Sequence, residues 1–557
     1  MTIRCTCKLL RERARLGSAR SRGDNRRGGA ALPAAWAAHP GSGRRATIAG
    51  VNETTEIWVK GILSLVALLV VILRHTRVGR LPERRAGQLL AGLAVVACAA
   101  YYNFGLFHGW TYVHHWETFH YVLGSKYFPE LGYDGLYVAS VAAQLESAPE
   151  AEFPSDIRNL KDNRIEPVYA LAEQRAAVRA RFSPQRWQAF LADNDYFVRT
   201  CQSAYLAQIR RDHGYNPTPA WTFVGRLFSG ALPVGRRTLV LLGLLDPLLL
   251  VLTFLLVIRT YGSRVGALAL VIFGLGYPWR FDWIGGAFLR LDWFAAVVAA
   301  ICLLKRERYA WAGALVGYAT MVRIFPVLFL PGVAVLALKD LLGRRQVGWV
   351  WRFAAGFVLA VVVCLTAGSL AGRGAKGWQE FAANLKKHSG SWLTNNVGLR
   401  NIFLYEAETF RQERVNPALI EPFAPWALHM ERLSAERKPL WLAGTAFFFL
   451  LALTAAWRLP RDEAASLGVV FVFAAVLLTS YYWLMLVVLA FRRGWGPAAG
   501  WLGVNTALYA VHLIKPRAEA TFGAMCWGLT ILFLLWLAPQ AWRVVRRRRP
   551  VPREARA

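Results

Sequence analysis

Apolar residues along this chain come in runs, not in alternation. The runs cover 57–73, 87–107, 238–258, 265–279, 286–304, 309–322, 325–338, 350–371, 440–457, 465–479, 481–491, 497–514 and 520–541. About 20 residues at a rise of 1.5 Å each cross a hydrocarbon core of roughly 30 Å. The pattern predicts an all-α, polytopic membrane protein with roughly 11–13 membrane helices. It divides into two first membrane helices (57–107), a polar loop (108–236), a block of membrane helices (237–371), a second polar loop (372–438) and C-terminal membrane helices (439–542). Residues 1–50 and 543–557 form basic tails.

The first polar loop carries helical patterns of its own. EPVYALAEQRAAVRARF (166–182) and SPQRWQAFLADNDYFVRTCQSAYLAQIRRD (183–212) read as amphipathic helices lying on a membrane surface, and Ser183-Pro184 is a good helix start. GYNPTPAW (214–221) closes the loop as a rigid turn. Two breaks between short helices are expected, at RIFP (323–326), where Pro326 and Pro331 interrupt the helix, and at SYYW (480–483).

Those breaks decide orientation. With both in place, the basic clusters at 74–85, 305–308, 339–346, 458–462, 492–493 and 546–549 fall on one side. By the positive-inside rule that side is the cytoplasm, and the loops 108–236 and 372–438 face outward. The basic N-terminal tail then also lies outside, against the rule; a re-entrant first segment or a start near Val51 would remove the conflict.

Composition fits the pattern. The 557 residues are 55% hydrophobic and 13% aromatic, and mean hydropathy is +0.31. A net charge of +32 would suggest nucleic acid in a soluble protein, but here the basic clusters alternate with apolar runs, so it is assigned to topology and anionic lipid headgroups, with no nucleic acid. Residues 1–50, rich in Arg, Gly and Ala, read as disordered, with no apolar core for a signal peptide. The cysteines show no CxxC pair and no zinc spacing. High Arg and Ala usage suits a GC-rich bacterial genome, and with the apolar runs it gives a multi-pass protein of a bacterial plasma (inner) membrane as the expectation.

Charge near the outer ends of the spans is where chemistry is expected. Glu117 follows the second run by about ten residues, among Trp116, Phe119, His120 and Tyr121. A carboxylate beside aromatics is a candidate general base; an aromatic belt with an incidental acid is the plain alternative. Glu130 and Asp134 follow in the same stretch. Arg280, Asp282, Arg290 and Asp292 lie in YPWRFDWIGGAFLRLDW (277–293), either as ion pairs stitching helix ends or as an anion site. Arg323 sits at the RIFP break, where it meets an anion or snorkels to headgroups. In NLKKHSGSWLTNNVGLRNIF (384–403), Lys386, Lys387, His388 and Arg400 could contact a phosphate, and Asn395 and Asn396 could bond sugar hydroxyls. His108, His114, His115 and His120 match no standard metal spacing, and there is no P-loop, GxSxG or dinucleotide fingerprint.

The order of these features resembles the GT-C superfamily of integral-membrane glycosyltransferases, and within it glycosyltransferase family 87, the polyprenol-phosphate-mannose-dependent mannosyltransferases. The likeness covers roughly 87–495 and rests on Glu117 with Tyr121 and GYDGLY (132–137), GYNPTPAW, RIFP, TNNVGLRN (394–401) and SYYW. The family's acid is commonly Asp, so Glu117 is a departure, with Glu130 and Asp134 as alternatives.

The resemblance implies transfer of mannose or another hexose from a polyprenyl-phosphate donor to a lipid-linked or cell-envelope acceptor, by direct inverting displacement on the extracytoplasmic face. Glu117 would be the base. Arg280, Arg290, Arg323, Lys387 and Arg400 would hold the donor phosphate. His120, Tyr121, His388, Asn395, Asn396 and Tyr481 would face sugar or acceptor. Membrane lipids are further partners, no cofactor is implied, and a divalent cation is left open. A multi-pass transporter or lipid flippase is the alternative, with mid-span ionisable residues and inverted repeats as its marks; a non-catalytic membrane scaffold is the third reading.

Overall fold

The computed structural model describes residues 53–75, 81–343, 347–388, 390–404, 406 and 410–546. The 1–50 tail and the basic tail beyond Arg546 lie outside the described residues. The chain is all-α apart from two short antiparallel strand pairs. Among the described residues six helices are long and apolar enough to cross a membrane: Glu53–His75, Arg236–Tyr261, Phe325–Leu342, Gly348–Ser369, Lys438–Ala456 and Ala518–Arg546. Gly348–Ser369 shows why a bilayer suits them. Val358, Leu359, Val362 and Val363 are all more than half exposed on one face, an apolar stripe that water would penalise.

Two other runs form helices of 19 residues, Glu83–Tyr101 and Gly496–Ile514, and the rest become shorter or interrupted elements. The 465–479 run splits into Arg461–Ser466 and Gly468–Ala475, then turns extended. The 481–491 run lies within Ser480–Phe491, a 12-residue stretch of 3₁₀ helix packed against Ser263–Gly274. So long a 3₁₀ run is uncommon. From Trp483 to Phe491 it is buried by protein, which is why it can be apolar all round.

Three interruptions shape one end of the bundle. Glu83–Tyr101 stops where Asn103, Phe104 and Gly105 take positive φ (51°, 52° and 88°). Asn103 staples that turn: it accepts from Lys60 Nζ (2.8 Å) and donates to Phe107 O and Asp282 Oδ1 (both 3.1 Å). Ser263–Gly274 ends in a loop held by Asn505, whose amide accepts from Tyr277 N (2.8 Å) and donates to Leu275 O (2.8 Å) and Ser64 Oγ (3.1 Å). Tyr309–Val322 stops at Arg323 (φ −147°, ψ 114°), and Pro326 then sits at the start of a 3₁₀ turn, Phe325–Phe329. The RIFP break therefore forms where the proline requires it.

The 108–236 segment packs as a body of protein. Ser183 caps Pro184–Thr200 by accepting from Arg186 N (3.3 Å). The apolar face of that helix (Trp187, Phe190, Leu191, Phe197) is buried, and the helix packs against Leu136–Ser147, so protein covers the stripe assigned above to a membrane surface. A hairpin, Asp156–Asn159 with Arg164–Pro167, interrupts the region read as helix from 166. Glu421 of the second loop accepts from Ile165 N (3.0 Å) and pairs with Arg158 (3.3 Å), so the two polar segments dock on each other.

Asn505 offers a test of this scaffold. Asn505→Leu leaves Tyr277 N buried and unpaired, while Tyr509 still donates to Leu275 O (3.0 Å), at a cost of about 1–3 kcal/mol for the orphaned group. The detergent-solubilised variant should melt several degrees below wild type by intrinsic fluorescence; an unchanged midpoint would mean that the loop is held by other contacts.

Candidate functional site

Arg290 is placed by its backbone. Asp246, in the first turn of Leu245–Tyr261, accepts from Arg290 N (2.9 Å) and Leu291 N (3.1 Å). The preceding Leu289 has φ 49°, uncommon for a non-glycine residue, and Trp221 donates its indole N–H to Leu289 O (3.0 Å). Trp221 lies in Pro219–Ser229, capped by Thr218, whose hydroxyl also donates to Met321 O (2.7 Å). The GYNPTPAW turn is thus tied both to the Arg290 loop and to the helix that ends at Arg323.

Arg290 is 2% exposed and meets Glu117, 13% exposed, with Nε 2.9 Å from Oε2. The angles fall short of a hydrogen bond, so this is an ion pair without the directional component. Arg290 also donates to the Tyr121 hydroxyl, and its guanidinium lies 4.2 Å from the Tyr121 ring centre and 5.5 Å from that of Tyr481. Glu117 rides on the short turn His115–Thr118, which His114 caps. His114 Nδ1 accepts from Glu117 N (3.2 Å), leaving Nε2 to donate to Asp282 O (3.1 Å). Both ring nitrogens are used by a neutral ring, and burial keeps His114 below the ordinary histidine range.

Arg323 also lies near Tyr121, 6.0 Å from that ring centre and 5.8 Å from that of Trp221. It is 8% exposed and donates through Nη1 to Val322 O (3.0 Å). Its Nε and Nη2 are buried with no acceptor among the described residues. Asp292 lies near Arg323, but its oxygens already accept from Trp293 N (2.8 Å) and Tyr318 (3.0 Å). The second loop arrives through a strand pair, Asn396–Val397 with Leu478–Thr479, and Ser480 N donates to Asn395 O (2.9 Å). That pairing brings Asn395 and Asn396 to the segment carrying Tyr481.

The other candidates lie apart from this centre. Arg280 occupies a second buried cluster, stacked on Tyr277 (4.9 Å) and 3.8 Å from Glu53, near Glu56 and Asp282. Lys387 donates to Leu160 O, and Arg400 donates to Ser434 Oγ between Trp392 (5.0 Å) and Trp441 (4.9 Å). Glu130 is gripped by both arms of Arg186 (2.7 and 3.1 Å), and Asp134 faces Arg181 at 3.6 Å. His120 is a core histidine, bonded to Trp116 O (2.8 Å) and Tyr137 Oη (2.6 Å). His388 sits edge-on to His213 at 5.6 Å. Of the acids singled out from sequence for catalysis, Glu117 is the one in contact with a buried arginine of the 277–293 loop. Among the described residues no group of three His, Cys, Asp or Glu could hold a metal ion.

Sequence reasoning missed Asp246, Trp221 and Tyr482. Asp246 had a signal, as the one acid inside the run LLGLLDPLLLVL (241–252). Tyr482 lies close enough to act on both Arg290 and Arg323, and its ring packs on Phe325 (5.3 Å) and Trp293 (5.9 Å).

Two histidines of the polar segments carry a pH prediction. Burial, with His213 and Lys387 alongside, pushes His388 down to about 3; burial, with His114 alongside, pushes His115 down to about 4. Both stay neutral in the folded state while the unfolded chain protonates near 6.5. The unfolded state therefore binds more protons below that value, and stability should fall as pH drops from about 6.5 towards 5 and be flat above. Thermal melts across this window check it, and His388→Asn should flatten the slope.

No family model, curated protein or solved structure matches this chain. The function of the site has to be read from its own geometry: a carboxylate and two buried arginines around one tyrosine, where membrane helices break.

Proposed function

We propose that this chain is a polyprenyl-phosphate-sugar-dependent glycosyltransferase of the GT-C kind, similar to family 87, in a bacterial plasma membrane with its site on the extracytoplasmic side. It transfers mannose or another hexose to a lipid-linked or envelope acceptor. The observation that supports this most is Arg323: a nine-tenths-buried guanidinium at a helix break, with two N–H groups lacking a protein acceptor, beside the Arg290–Glu117 pair. Such a group is costly to bury unless an anion completes it. A phosphate carried on a lipid reaches that depth without leaving the bilayer.

The chemistry follows from the residues. Glu117 takes the proton of the acceptor hydroxyl as its oxygen attacks the anomeric carbon. The bond from that carbon to the phosphate oxygen breaks, and the polyprenyl phosphate leaves with the electron pair. Arg290 and Arg323 stabilise the charge that develops on it. Tyr121, Tyr481, Tyr482 and Trp221 set aromatic rings around the two guanidinium groups, the kind of surface on which a sugar ring stacks.

The test is transfer from radiolabelled polyprenyl-phosphate mannose to membrane acceptors in a strain lacking the protein. Wild type should restore transfer and Glu117→Gln should lower it by about 10²-fold or more, while Glu130→Gln and Asp134→Asn stay near wild type. Equal transfer by wild type and Glu117→Gln would remove Glu117 as the base. No transfer by wild type from any lipid-phosphate sugar would favour the transporter reading.

A further inference from the structure

The two arginines of the site are not equivalent at rest. Arg290 already has an anion: Glu117 lies 2.9 Å away in an ion pair that lacks hydrogen-bond alignment. Among the described residues no carboxylate contacts Arg323, whose Nε and Nη2 are buried without an acceptor. Its one bond is to the Val322 carbonyl, and both oxygens of nearby Asp292 are taken by Trp293 N and Tyr318. One positive charge is matched and one is open.

Resting on the function proposed above, we propose that Arg290 changes partner during transfer, from the base to the leaving group, while Arg323 alone holds the donor in the ground state. The charges balance at each stage. A polyprenyl phosphodiester carries one negative charge, which Arg323 matches; Glu117 stays on Arg290. As the acceptor oxygen bonds to the anomeric carbon, its proton passes to Glu117, which becomes neutral. The carbon–oxygen bond to phosphate breaks in the same step, and the electron pair leaves a phosphate with two negative charges. Arg290 loses its anion at the moment the phosphate gains one. Total charge in the site is unchanged, and the new contact forms only as the bond breaks, which is the kind of contact that raises turnover without tightening the ground state. Tyr121 faces both guanidinium groups, and the two lie close enough to act on each other.

Two sugarless probes separate the roles: a polyprenyl monophosphate, mostly a dianion above about pH 7, and its methyl diester, a monoanion. Binding is measured with the full chain in lipid nanodiscs. Arg323→Gln should weaken both probes by about tenfold or more, the worth of one charge-assisted contact. Arg290→Gln should weaken the monophosphate by a similar factor and leave the diester within about twofold. Glu117→Gln, nearly isosteric, should tighten the monophosphate by freeing Arg290, which keeps the test open should Arg290→Gln fail to fold. In turnover, Arg290→Gln should lower kcat with KM kept, and Arg323→Gln should raise KM. Equal loss of both probes in Arg290→Gln, or no tightening in Glu117→Gln, would overturn the partner change and leave the proposed function standing. Failure of wild type to bind either probe would overturn both.

Discussion

A guanidinium buried between membrane helices has to be matched in charge and held in place, and Arg290 sets both demands. Removing a single partner from a buried pair costs about 3–5 kcal/mol, because the remaining charge has nowhere to go. The chain meets the demand twice. Glu117 supplies the opposite charge at 2.9 Å, and Asp246 accepts from the Arg290 and Leu291 amides, so the backbone cannot carry the side chain away. Much else near the site serves these contacts: His114 caps the turn that presents Glu117, and Trp221 pins the carbonyl just before Arg290.

The same constraint accounts for the broken helices. An α-helix satisfies its own backbone and offers little to a ligand. The stops at Tyr101, Gly274 and Val322 release backbone groups, and Asn103, Asn505 and Thr218 take up several of them with side chains. Irregular backbone at membrane depth is tolerated where protein surrounds it, and the Ser480–Phe491 segment, buried from Trp483 onward, is the extreme case.

What could be read from the sequence follows physical range. Long apolar runs report their own burial, so the membrane character was legible, as was the Arg323 break, because Pro326 acts on its own neighbours. The Ser183 cap was legible for the same reason. Pairings across the chain were not. Nothing local tells that Arg290 meets Glu117 while Lys387 turns to Leu160 and Arg400 to Ser434, since each partner lies far along the chain. The family resemblance implies a sugar- or acceptor-facing role for His120, yet it spends both nitrogens on Trp116 and Tyr137. The hairpin at 156–167 was hidden because its register depends on Arg211 gripping Asp156 and Glu421 reaching in from the second loop.

The central claim is that the open donors of Arg323 and the clasped Arg290 together form an anion site for a lipid phosphate. The most direct measurement is an electron cryomicroscopy map of the full chain in nanodiscs with a polyprenyl monophosphate added. The account predicts phosphate density against Arg323 and Arg290, with Glu117 released from the guanidinium. Phosphate density elsewhere, with the Glu117–Arg290 pair still closed and nothing at Arg323, would contradict it.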